Sequence, residues 1–116
     1  MDIQEYSNKR SDQVISDFLI SLSLVGKSDH AKKIFYDLEK LEQYPLNFLL
    51  RLNNVKKINK NLYELRIAWR RESYRIFFCI QHNTYYLLHI FCKKSQKIPS
   101  KELRLAQQRK NNLIKI

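Results

Sequence analysis

Two periods of apolar residues divide the chain. Up to Leu41 apolar side chains recur at the three-and-four spacing of an α-helix, and from Leu62 to Cys92 they alternate as in strands. Val14, Ile15, Phe18, Leu19 and Leu22 form one helical stripe, with Ser11 placed to cap its start. Ser28 and Asp29 offer a second cap ahead of Ala31, Ile34, Phe35, Leu38 and Leu41, on a helix that ends before Pro45. With a turn near Gly26, the two helices predict a hairpin with one apolar face. Asp2 to Tyr6 can form a short edge strand.

In Leu62 to Trp69 the bulky apolar residues are Tyr63, Leu65, Ile67 and Trp69, with Glu64 and Arg66 on the opposite face. After a polar turn at Arg70–Ser73, Tyr74 to Ile80 puts Tyr74, Ile76, Phe78 and Ile80 on one side. Arg75, Phe77 and Cys79 fall on the other. A turn at His82–Asn83 leads to Thr84–Cys92, apolar on both sides and therefore expected to be central, with Tyr85, Leu87, His89 and Phe91 on one face. Such short turns imply an antiparallel meander. Ser100, after Pro99, begins a last helix that can dock Leu103, Ala106 and Leu113 and expose Arg104, Gln108, Arg109 and Lys115. The expected class is α+β: a helical hairpin on one face of a small, mostly antiparallel sheet, with a C-terminal helix at its edge, all in a single domain spanning 1–116.

Composition narrows the function. The 44% hydrophobic content suffices for one core, and no apolar run approaches the ~20 residues of a membrane span. The start Met1-Asp2-Ile3-Gln4-Glu5 is neither basic nor apolar, so a cytoplasmic location is expected. Cys79 and Cys92 lie in apolar runs without metal-site spacing and read as structural thiols. The net charge of +11 is unevenly spread. Residues 1–50 carry 6 Lys/Arg against 8 Asp/Glu, residues 51–92 carry 8 against 2, and residues 93–116 carry 8 against 1. The second half of the chain seeks an anion, such as nucleic acid or an acidic protein.

Arg66 and Arg75 fall on neighbouring strands, where two guanidiniums can form a fork for phosphate oxygens. The plainer reading pairs Arg66 with Glu64 or Glu72. Lys93, Lys94 and Lys97 follow the last strand, where lysines can bind a phosphate backbone or neutralise charge developing at phosphorus. Arg70, Arg71 and Lys101 extend the basic set as candidate RNA contacts. His89 is a candidate for proton transfer, although a lone His on an apolar strand is more often a hydrogen-bonded structural residue. No Ser/His/Asp set, paired carboxylates, phosphate-binding glycine loop or dinucleotide motif is present. With few acids in the basic half to hold magnesium, a nuclease built here is expected to use no metal or other cofactor. That favours RNA, which carries its own 2′-hydroxyl nucleophile.

The ordered segments Leu62-Tyr63-Glu64-Leu65-Arg66-Ile67, Tyr74-Arg75-Ile76 and Leu87-Leu88-His89-Ile90-Phe91-Cys92-Lys93-Lys94-Ser95-Gln96-Lys97-Ile98-Pro99, followed by Glu102, Ala106 and Arg109, resemble the phage-derived Gp49-like, HigB-type branch of the RelE toxin superfamily. The resemblance implies a RelE-like fold and a messenger-RNA interferase acting in the ribosomal A site. It implies inhibition by a HigA-like helix-turn-helix antitoxin, with operator DNA contacted only through that antitoxin. It also gives roles to matching positions. Arg66, Arg75, Lys93 and Lys94 would orient the scissile phosphate and stabilise the transition state, and Lys97 is the next basic position. RelE has a tyrosine near its carboxyl terminus as proton acceptor, whereas the last tyrosine here is Tyr86. His89, a lysine of lowered pKa, or charge stabilisation alone remain as alternatives. A non-catalytic RNA- or ribosome-binding module would use the same basic face, and a free-standing ribonuclease would cut RNA without ribosomes.

Overall fold

A computed structural model describes residues 1–8, 13–94 and 96–114. Strand β1 (Asp2–Glu5) precedes helices α1 (Val14–Leu24), α2 (Ser28–Glu42) and the single turn α3 (Leu46–Leu49). Strands β2 (Val55–Asn59), β3 (Leu62–Trp69), β4 (Glu72–Gln81) and β5 (Thr84–Cys92) follow, then α4 (Ser100–Ile114). The sheet order is β1-β5-β4-β3-β2, with β1 parallel to β5 and every other pair antiparallel. The α+β class and the largely antiparallel sheet agree with the sequence pattern. Among the described residues no helix is long and apolar enough to cross a membrane.

The α1–α2 hairpin covers one sheet face. Ile15, Leu22, Ile34, Leu38 and Leu41 meet Tyr63, Leu65, Ile67, Tyr74, Ile76, Phe78 and Tyr85 in the larger core. Fastenings at the end of the hairpin are polar. His30 Nδ1 lies 2.9 Å from the Tyr74 hydroxyl, and Asp29 accepts hydrogen bonds from Trp69 Nε1 (3.1 Å) and Arg70 Nε (2.7 Å). Ser11, the expected cap of α1, lies outside the described residues. The first turn of α1 is capped instead from β1: Glu5 Oε1 accepts the amides of Ile15 and Ser16 at 2.8 Å each, and its other oxygen meets the Ser16 hydroxyl. A carboxylate there satisfies orphan amides and complements the helix dipole.

Several expectations are corrected. Helix α4 does not sit at the sheet edge. It packs on the second face, over β4 and β5, where Leu62, Phe77, Cys79, Leu88, Phe91 and Ala106 form a smaller core. The expected turn at Arg70–Ser73 shrinks to Arg70–Arg71, because Glu72 and Ser73 already pair with Trp69 and Ala68. Strand β5 is interior but β4 is the middle strand, since β1 and β2 each add an edge. A bulge pairs Phe77 with His89 and Phe78 with Leu87, leaving Leu88 as the extra residue. Tyr85 and Leu87 therefore face the hairpin, whereas Leu88 and Phe91 join the core under α4. Arg109, expected to be exposed, is half-buried against the sheet, and Lys115 lies outside the described residues.

Candidate anion-binding face of the sheet

Helix α4 covers only part of the second face. Beyond it, strand alternation puts Glu64, Arg66 and Ala68 of β3 beside Ser73 and Arg75 of β4. Arg66 lies directly opposite Arg75 in the register, as the sequence pattern anticipated. Strand β2 contributes Lys56, directly opposite Glu64 and exposed. Sequence reasoning missed Lys56 because β2 buries fully only Val55 and shows no alternation. The adjacent lysines Lys56 and Lys57 were the available signal, because lysines commonly guard an edge strand.

Glu64 is not the surface charge its alternation suggested: its side chain is 1% exposed. Arg66 Nε donates to Glu64 Oε1 at 2.9 Å, while Arg75 Nε stands 3.7 Å from Glu64 Oε2. Arg66 therefore pairs with Glu64, as the plainer reading has it, and also opposes Arg75. Glu64 Oε2 and Arg75 Nε are buried without a hydrogen-bond partner. Arg75 Nη1 donates to Ser73 Oγ at 2.7 Å and to the Tyr74 carbonyl at 3.3 Å. Burial pulls the Arg75 pKa down, Glu64 opposes that shift, and the Arg66 charge adds to it. An arginine remains cationic under such a shift at any working pH.

Ser73, Arg75, Lys93, Lys94 and Gln96 line an open cavity of about 360 Å³. Lys93 is held at its rim by its backbone amide, which donates to the Ser73 carbonyl at 2.7 Å. Lys94 also reaches the rim, but its Nζ lies 3.3 Å from Glu72 Oε2. Glu72 accepts from Cys92 Sγ at 2.9 Å and sits 3.5 Å from Lys27 as well. Hydrogen bonds from Cys92 and Lys94 hold its pKa down to about 2. Arg70 is drawn to the hairpin side by Asp29 and lies over the Trp69 ring, so it does not join this group. Arg71, Lys97 and Lys101 are exposed.

His89 occupies a different place. It lines a groove of about 580 Å³ with Tyr6, Asp17, Phe18, Arg109 and Asn112. Its Nε2 meets the Glu102 carboxylate, and its Nδ1 lies 3.1 Å from Arg109 Nη1. A guanidinium can only donate, so Nδ1 accepts and Nε2 carries the proton toward Glu102. Burial lowers the His89 pKa, against the pull of Glu102 and with the help of Arg109. Arg109 also donates to the Leu88 carbonyl at 2.8 Å and lies 5.5 Å from the centre of the Tyr6 ring. Spacing could have shown part of this, since 102, 106 and 109 share one helix face. Among the described residues, no three His, Cys, Asp or Glu side chains gather in a group that could hold a metal ion.

A family model described as phage-derived protein, Gp49-like, matches residues 26–111, which include every cation of this face. No curated protein and no solved structure matches the chain.

Proposed function

The chain belongs to the Gp49-like family of phage-derived proteins, a RelE/HigB-type toxin family, and from that membership we propose that it is the toxin of a type II toxin–antitoxin pair, cutting messenger RNA on the translating ribosome. One observation carries the chemical part: Arg66 and Arg75 directly opposed on an uncovered sheet face, with Lys93 at the rim beside Arg75. Such a face presents a phosphate with fixed, permanently charged donors. In the reaction the 2′-oxygen loses its proton and bonds to phosphorus, and the bond from phosphorus to the 5′-oxygen breaks. The 5′-oxygen takes up a proton, and a 2′,3′-cyclic phosphate remains. Arg66, Arg75 and Lys93 bind and orient the phosphate and stabilise its added negative charge. Lys94 joins them when substrate draws it from Glu72. Arg71, Lys97, Lys101 and Lys56 hold flanking RNA, whereas Arg70 serves the hairpin. The partner is a HigA-like helix-turn-helix antitoxin, and the site of action is the cytoplasmic ribosome.

His89, with both ring nitrogens engaged, acts in this reading as a tether and not as the base. That same observation favours a second reading, in which the basic face grips RNA or the ribosome without cutting it. The discriminating experiment induces the protein in cells and maps messenger-RNA ends within minutes. New ends at codon-spaced positions are expected, and Arg75→Ala lowers their rate about 100-fold, as loss of a transition-state donor does, and relieves growth arrest. A folded Arg75→Ala protein that stays fully toxic overturns the site. Arrest with salt-sensitive RNA binding and no new ends selects the second reading.

A further inference from the structure

The sheet face contains an arrangement that phosphate binding alone does not require. Arg66 and Arg75 are directly opposed on adjacent strands, and like charges in that relation repel. Between them is a carboxylate with 1% of its side chain exposed. Its contacts are unequal: one hydrogen bond of 2.9 Å to Arg66, and a 3.7 Å approach to Arg75 that leaves Glu64 Oε2 and Arg75 Nε without hydrogen bonds. Arg75 donates instead to the Ser73 hydroxyl and the Tyr74 carbonyl. A buried charge is costly to desolvate unless its partners compensate it, and a negative one weakens the attraction of the face for any polyanion. An anion-binding face selected only for affinity would have an uncharged residue there.

We infer that Glu64 is a positioning residue: its buried carboxylate, hydrogen-bonded to Arg66 and drawing Arg75 by charge alone, turns both guanidiniums toward one phosphate and restrains their grip on RNA in general. This rests on the nuclease reading above. Attraction is traded for orientation, because a reacting phosphate misplaced by an ångström costs about 100-fold in rate. Neutralising Glu64 therefore moves binding and cleavage in opposite directions, whereas a merely structural residue would move them together.

The test compares wild type, Glu64→Gln and Glu64→Asp. Binding is measured on an uncleavable 2′-O-methyl oligoribonucleotide over a range of salt, and cleavage in a reconstituted translation reaction. Glu64→Gln is expected to bind more tightly. Its plot of log affinity against log salt should steepen by about 0.7, the value for one more cation engaged on a single strand. Its cleavage rate should fall about 100-fold. Glu64→Asp keeps the charge but shortens its reach, so it should keep the wild-type salt slope and still lose cleavage. An unchanged salt slope in Glu64→Gln, or wild-type cleavage in either variant, overturns the inference. If Glu64→Gln does not fold, Glu64→Asp decides alone: full cleavage overturns, and slow cleavage at the wild-type slope supports. A wild-type protein that binds but never cuts sinks the nuclease reading, while the salt slope of Glu64→Gln still judges Glu64 itself.

Discussion

Asn61 closes the turn between β2 and β3 at a φ of 51°, a left-handed conformation that Asn tolerates better than most side chains. Its amide oxygen accepts from the Ile80 amide and its amide nitrogen donates to the Ile80 carbonyl, each at 2.9 Å. The side chain thus does the work of a backbone peptide and lengthens the β3–β4 pairing by one rung. Asn61→Ala removes both bonds and leaves the strained φ, so it is expected to cost about 2–3 kcal/mol. Asn61→Gly, free of the conformational penalty, should lose less. Urea unfolding measures both, and equal midpoints for Asn61→Ala and wild type would refute the pairing. At the same scale, Glu64 shows why a charged residue is hard to read. Alternation put it on the far face correctly, but whether that face is wet there depends on Arg66, Arg75 and Lys56 around it.

Helix α4 is fastened by polar contacts as well as by its apolar stripe. Glu102 holds His89, Arg109 reaches the Leu88 carbonyl, and the buried Lys110 ammonium reaches the Lys60 carbonyl. His89 has a folded pKa below its ordinary 6.5, so the folded state favours the neutral ring. Its contribution to stability is complete above pH 6.5 and is lost as pH falls through the folded pKa. Ring titration by NMR should therefore give a midpoint below 6.5. Unfolding free energy should drop on acidification from pH 7 in wild type, and by less in His89→Gln. A ring that titrates at 6.5 or higher would mean that Glu102 outweighs burial and Arg109, and would refute the expected acid sensitivity. The elements themselves were unequally legible. Strands β3 and β4 declared themselves by alternation, and the β4–β5 turn by His82-Asn83, both at positive φ. The bulge was hidden because Leu87-Leu88 reads alike in either orientation. The second face looked spare because the few apolar residues of α4 suit an edge as well as a face. Of the candidate site, the placement of Arg66 and Arg75 on one sheet face and of Lys93 beyond the last strand was legible from strand position. The pairing of Lys94 with Glu72 and of Arg70 with Asp29 needed the tertiary contact.

Across the whole molecule, positive charge is sorted by its partners. Asp29 and Glu72, near the β3–β4 turn, hold Arg70, Lys27 and Lys94, and Glu64 holds the arginine pair. The Asp29 pKa is held down to about 2 by hydrogen bonds from Arg70 and Trp69, and Glu72 likewise by Cys92 and Lys94. Both are depressed carboxylates. The stability they add is present above their ordinary values of 3.8 and 4.5 and is lost as pH falls toward 2. Acid unfolding at low salt should therefore steepen below about pH 4.5, and Asp29→Asn should flatten part of that slope. A wild-type stability flat from pH 5 to 2 would contradict these pairings. The parallel match of β1 to β5 has its own consequence, one of time. Asp2 pairs with Thr84 and Glu5 with Leu87, so β1 waits through the synthesis of α1 to β4 for the strand it joins. Until β5 is made, β1 has no neighbour in the sheet, and only contacts with the helices, such as the Glu5 cap on α1 and the Val14 amide to the Tyr6 carbonyl, can hold it. Such distant pairing slows folding, and it ties completion of the sheet to the emergence of β5.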